Sequence, residues 1–162
     1  MVGSLFGIIG GLAAVGAEQS PKDKMLAAMA KEQIVVTAIV LAEADSQICG
    51  VRAPEAVMSI SHPANLKISV PMYGFERSQP YSSKMYPIIK VAMELTSETG
   101  ALICKESEWV SSHASGNDQG FSCDVYIREP EKTRSTLTKV SQIVIRRLFA
   151  SLEKQWKNKP VE

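Results

Sequence analysis

GFSCDVYIREPEKTRSTLTKVSQIVIRRLFASLEKQWK, residues 120–157, carries two patterns in succession. Phe121, Cys123, Val125 and Ile127 alternate with Ser122, Asp124, Tyr126 and Arg128, which is the period of a strand with one buried face. Pro130 ends that strand. From Thr133 or Ser135 to Lys157 the period changes: Leu137, Val140, Val144, Leu148 and Leu152 step by three and four residues and form a core-facing helical stripe. A one-sided strand followed by a one-sided helix predicts an α+β domain, with the C-terminal helix packed on a small antiparallel sheet.

Working outward, Ala101 to Val110 reads as a second strand, and Ser115-Gly116-Asn117-Asp118 supplies turn chemistry, so a long-looped β-hairpin joins it to Gly120–Arg128. Upstream, Ile88, Val91, Ala92 and Leu95 follow Pro87 at helical spacing with Gly100 beyond them, which predicts a middle helix. Leu66, Ile68, Val70 and Met72 alternate as a half-buried strand, and Pro71 restricts it to a sheet edge or to its own terminus. Residues 52–63 have room for at most one helical turn between Pro54 and Pro63. Ser20-Pro21-Lys22-Asp23 combines a capping hydroxyl, a first-turn proline and an acid, so a long N-terminal helix is expected from Pro21 to Gly50. Its middle, IVVTAIVL (34–41), also suits a buried strand, but the flanking KMLAAMAKEQ and AEADSQ favour helix.

The 162 residues, 45% hydrophobic and 22% charged, match one globular domain and exclude a disordered, collagen-like or multi-pass membrane chain. That domain is expected to occupy residues 18–162. Residues 1–17, MVGSLFGIIGGLAAVGA, carry no charged side chain and end in Val15-Gly16-Ala17 before Glu18, the pattern of a signal peptide cut before Glu18. No Lys or Arg precedes the apolar run, which keeps two other readings in view. An uncleaved anchor could use Gly3, Gly7 and Gly11 as a close-packing seam, and a cytosolic domain could bury the segment. The leading expectation is a periplasmic or secreted protein. Cys49, Cys104 and Cys123 fit one bridge and one remaining thiol in that setting, with Cys104–Cys123 closing the shortest loop.

Overall charge is +1, yet nine basic and four acidic residues from Arg128 onward make the end of the chain net +5. Lys139, Arg146 and Lys157 line up opposite the apolar stripe, flanked by Arg147 and Lys154. This basic face is the leading candidate for docking a protein partner or an anionic surface, with Ile143, Phe149 and Trp156 at its margins. Nucleic acid is not expected, since aromatics make up only 6% of the chain and no base-stacking platform is readable. Chemistry has weaker support. Cys49 with His62 or His113 is the one nucleophile and base pairing available, and nothing in their spacing joins them. Glu106 and Glu108 share a strand face, read as solvent-facing. Neither metal-ligand spacing nor a phosphate-cradling loop is present, so no cofactor is expected. The sequence therefore points to an exported non-enzymatic binding or assembly protein, the alternative being a small exported enzyme of the hydrolase or thiol class.

Overall fold

A computed structural model describes residues 20–50 and 64–157. The leader at 1–17, the 52–63 stretch with His62, and the side chains of Cys49, Trp156 and Lys157 lie outside the described residues. The elements are α1 (Pro21–Lys31), α2 (Val36–Gly50), β1 (Ala64–Arg77), β2 (Lys84–Ser97), β3 (Leu102–Val110), β4 (Phe121–Ser122), α3 (Cys123–Arg128) and α4 (Pro130–Lys157). The fold is α+β, with α4 and α2 packed on one face of a small antiparallel sheet.

α1 starts where the capping pattern placed it: Ser20 Oγ accepts the Asp23 amide at 3.2 Å and donates to the Asp23 carboxylate at 2.6 Å. It stops early, however. The amides of Gln33 and Ile34 return to the carbonyls of Ala30 and Met29, and Gln33 takes a φ of 53° in a glycine-type helix stop without a glycine. The expected long helix is thus two, set at 62° to each other. IVVTAIVL is helical in its main part, and Val36, Val40 and Ala44 recur every fourth residue on the buried side of α2.

The stretch read as a middle helix is instead β2, the central strand. Pro87, Ile89, Val91, Met93 and Leu95 are buried while the residues between them are not, a strict period of two. Ile88, Val91, Ala92 and Leu95 satisfy helical spacing in the same ten residues, and the sheet decides between the patterns because β2 is paired on both sides. β1 lies along one side of it. It is an edge strand, as Pro71 required, and its register with β2 shifts between Ser69 and Met72, around the proline that has no amide to donate. β3 pairs along the other side, Ile89 opposite Val110 and Leu95 opposite Cys104. The hairpin containing β3 is therefore made with β2, through a turn in which Gly100 has a φ of 82°.

The expected second hairpin strand survives only as β4, whose Phe121 and Ser122 pair with Met85 and Lys84. The chain then turns into α3. Phe121, Cys123, Val125 and Ile127 are all half-buried, and Tyr126, assigned by the alternation to the solvent face, is the buried residue of the segment. Its ring lies 4.7 Å from that of Phe75 and 5.8 Å from that of Phe121, and its hydroxyl donates to the Met85 carbonyl at 3.0 Å. Cys123 and Ile127, one helical turn apart, face α1 instead. Burial pushes the Tyr126 phenol up to about 12. A phenol raised in this way stabilises the fold fully below its unfolded value of about 10, and the contribution is lost as pH rises through the folded value. Absorbance titration is expected to show one of the four tyrosines ionising at about 12, a step removed by Tyr126→Phe. Four ordinary ionisations in the folded protein would contradict the burial.

α4 begins at Pro130, a few residues ahead of the expected start, and Thr133 ties it to α3 by donating to the Tyr126 carbonyl at 3.0 Å. Leu137, Val140, Val144, Leu148 and Leu152 are all buried, so this stripe is as the spacing predicts. It meets α2 and the inner face of β2 and β3; the Arg134 guanidinium reaches across to the Glu32 carbonyl behind α1.

Candidate docking surfaces

The basic residues of α4 do not form a uniform open face. Lys139 donates to Asp118 at 2.6 Å, and Arg147 donates to the Ser115 carbonyl at 3.1 Å, so two of them hold the chain's own loop between β3 and β4. Arg146 and Lys154 remain exposed. Reversing the charge of Lys139 would set two carboxylates against each other and loosen the loop, so this part of the basic face serves the fold. The Lys139 ammonium, by hydrogen bond and then by charge, holds the Asp118 carboxyl below its usual range. Its stabilising contribution is therefore present at neutral pH and lost as pH falls through the depressed folded value.

The loop is anchored from within as well. Asn117 is buried, and its Nδ2 donates to the Pro87 carbonyl at 2.9 Å and the Ser111 carbonyl at 2.8 Å. Gly116, at a φ of 87°, lies over Ile143, where an added Cβ would come within 3.2 Å of that side chain. Ser112 donates to Glu76 at 3.0 Å, binding the start of the loop to β1. His113 stands exposed on this clamped loop.

Thiol chemistry finds little assembly among the described residues. Cys123 donates to the Pro21 carbonyl at 3.3 Å, and burial pushes its thiol up, away from the thiolate a nucleophile needs. Cys104 lies on β3 opposite Leu95, and no disulfide joins it to Cys123. No group of three His, Cys, Asp or Glu side chains there could hold a metal ion. Glu106 and Glu108 reverse their expected orientation. Their partners Met93 and Val91 point to the helices, so both glutamates face inward and are half-buried. Glu106 Oε2 accepts from Ser151 at 3.3 Å, while its buried Oε1 has no hydrogen-bond partner among the described residues.

The surface that sequence reading missed is the outer face of the sheet. Because the inward residues of β2 are the odd-numbered ones, its register places Met72, Lys90 and Trp109 in one outward row across three strands. The next rows are Ser69, Ala92 and Ser107, then Lys67, Glu94 and Lys105. Trp109 is 50% and Met72 41% exposed. Among the described residues nothing covers this face. The small middle row leaves a shallow trough between a charged wall and a wall topped by the indole. Lys105 and Glu94 pair at 2.7 Å, and the hydrogen bond and charge of Lys105 hold the Glu94 carboxyl low. Among the described residues Lys67 and Lys90 enter no ion pair, which leaves the face positive there. The available signal was Trp109 itself, a large aromatic alternating with acids on a strand, but reading β2 as a helix removed the neighbours that give it meaning. Compared with known proteins, the chain matches no family model, no curated protein and no solved structure.

Proposed function

We propose that this chain is a non-enzymatic binding or assembly component, exported to a periplasmic or extracellular setting, that docks an acidic protein on the outer face of its sheet. The row Met72, Lys90 and Trp109 carries the reading. A half-exposed indole beside an unpaired lysine is the residue pairing that anchors interfaces, the ring giving contact area at low entropy cost and the ammonium selecting for carboxylates. Lys67 on the far wall of the trough extends the same charge preference. The uncharged run at 1–17 supports the setting, and the basic residues of α4 serve the fold first, Lys139 and Arg147 fixing the loop while Arg146 and Lys154 add to the general positive field.

The test is a photo-crosslinking amino acid placed at Trp109 in the native host, with Tyr81, fully exposed in the β1–β2 turn, as the control position. A single acidic protein joined at Trp109 and not at Tyr81 is the expected outcome. With that protein purified, Trp109→Ala is expected to weaken binding by about thirtyfold or more, and Lys90→Glu to weaken it further at low salt than at high salt. Equal labelling at both positions, or binding indifferent to both substitutions, would overturn the reading.

A further inference from the structure

α2 has a second face. Val36, Val40 and Ala44 turn inward, whereas Ala38, Leu41, Ala42, Asp45 and Ile48 are exposed, and nothing among the described residues covers them. Leu41 and Ile48 are 39% and 38% exposed. Leu41, Asp45 and Ile48 step by four and three residues, so they lie along one side of the helix, an acid between two large apolar groups at rises of about 6 and 4.5 Å. Ala38 and Ala42, one turn apart, keep the middle of the face low. α2 carries Glu43 and Asp45 and no basic residue, while each of the other described helices carries Lys or Arg. The trough on the far side of the sheet repeats the pattern with the charge reversed. Met72, Lys90 and Trp109 set a cation between two large apolar groups at the strand spacing of about 4.8 Å. The floor beside them, Ser69, Ala92 and Ser107, is small-chained, and from Lys90 to Glu94 the trough is about 13 Å across, room for a helix of about 10–12 Å.

We propose that α2 of one copy of this chain lies in the trough of a second copy, with Asp45 against Lys90, Leu41 and Ile48 on Met72 and Trp109, and Ala38 and Ala42 over the small-chained floor. Charge selects this arrangement. A contact of α2 with α2 would set acids against acids and supply no cation, whereas the trough offers one at the matching place between two apolar groups. α2 packs on the inner face of the sheet and the trough is on the outer face, so no copy can fill its own trough and the contact is head to tail. Each pair leaves one trough and one α2 face open, so association runs past the dimer into a ring or a filament. The inference rests on the trough being a docking face, and it names the chain itself as an occupant that an acidic protein must displace.

The experiment follows the protein purified from its native host by sedimentation velocity over a wide range of concentration, in reducing buffer so that no disulfide contributes. Growth from monomer through dimer to larger species is expected. Asp45→Lys and Lys90→Glu should each weaken association at least about tenfold, since each sets like charges against one another. The double variant, with the pair reversed, should recover most of that loss. An equimolar mixture of the two single variants should also associate, because each offers the face that the other needs. Both positions are exposed, so circular dichroism melting should match the wild type. A variant that does not fold is replaced by Asp45→Asn or Lys90→Gln, which should weaken association in the same direction. A chain that stays monomeric at every concentration, or a double variant no better than the single ones, would overturn the proposal and leave the face of α2 to another occupant. The outside partner is read separately. An acidic protein still joined at Trp109 of a monomeric chain upholds the docking reading while the self-contact fails, and self-association with no outside protein joined does the reverse.

Discussion

Met93→Asp is expected to leave the chain without a cooperative unfolding transition, while Ala92→Asp, one residue away, retains one. Met93 is 1% exposed at the centre of β2, between Ile68 on β1 and Glu106 on β3. Aspartate there loses roughly 2–5 kcal/mol of apolar burial and packing and places a carboxylate among apolar groups beside a second, incompletely bonded one. The sum exceeds the lower part of the usual 5–15 kcal/mol range of domain stability. Ala92 points to the opposite face, between Ser69 and Ser107, where a carboxylate stays hydrated and lies near Lys90. Its substitution should cost no more than about 1 kcal/mol. The pair separates two readings of the same ten residues, since the helical one buries Ala92 and exposes Met93. Urea denaturation followed by circular dichroism decides it, and equal sensitivity at the two positions would deny that β2 is a strand with one buried face.

The second large effect is expected at Asn117. Both donors of its amide nitrogen are used, on Pro87 and on Ser111, which ties the loop at once to β2 and to its own start. In Asn117→Asp an oxygen replaces that nitrogen and faces two carbonyl oxygens, so two bonds are lost and a buried charge gains no donor. A loss of about 3–5 kcal/mol at neutral pH follows. The new carboxyl is disfavoured as an anion by its surroundings, so its folded pKa lies above the unfolded value of about 3.9. The penalty therefore grows as pH rises past the unfolded value and levels off above the folded one, and the variant stands closest to wild type in acid. Freeing the loop should also release Asp118 from Lys139 and let its depressed carboxyl return upward, which carbon-detected NMR titration reads directly. A variant with wild-type stability across that range would remove Asn117 from its anchoring role.

Local chemistry made part of this fold legible. The Ser20 cap, the Pro71 edge and the Leu137 to Leu152 stripe each depend on a few neighbouring residues, and each stands where the sequence put it. The misreadings share a different cause. Between Pro87 and Leu95 both the helical and the strand period run through Val91 and Leu95; they differ over Ile88 and Ala92 against Ile89 and Met93, and partners from β1 and β3 settle which pair turns inward. At Gln33 a helix stop forms on a residue that rarely takes a positive φ, so no glycine marked it. The alternation at 121–127 ended in a six-residue helix because Tyr126 gains more from Phe75, Phe121 and the Met85 carbonyl than Val125 could gain as a strand residue. For the candidate surfaces the limit was charge pairing. Lys139 and Asp118 are 21 residues apart, and no periodicity within α4 reveals that a loop outside it consumes the cation. Trp109 and Lys90 become neighbours only once β2 is a strand.

Consider finally when each part of the core can close. β1, β2 and β3 are joined in series by short turns, so their pairing needs only neighbouring stretches of chain. α2 differs. Its buried residues Val36, Val40 and Ala44 rest on α4, the last of the described elements, and the link from Arg134 back to Glu32 bridges 102 positions. A polypeptide emerging from the ribosome therefore carries a paired meander whose apolar underside α2 covers only in part until α4 arrives. Completion of the fold is a late, single closing event. Any factor that must hold this chain open needs only to shield α4, or the side of the sheet it will cover, for the interval before that event.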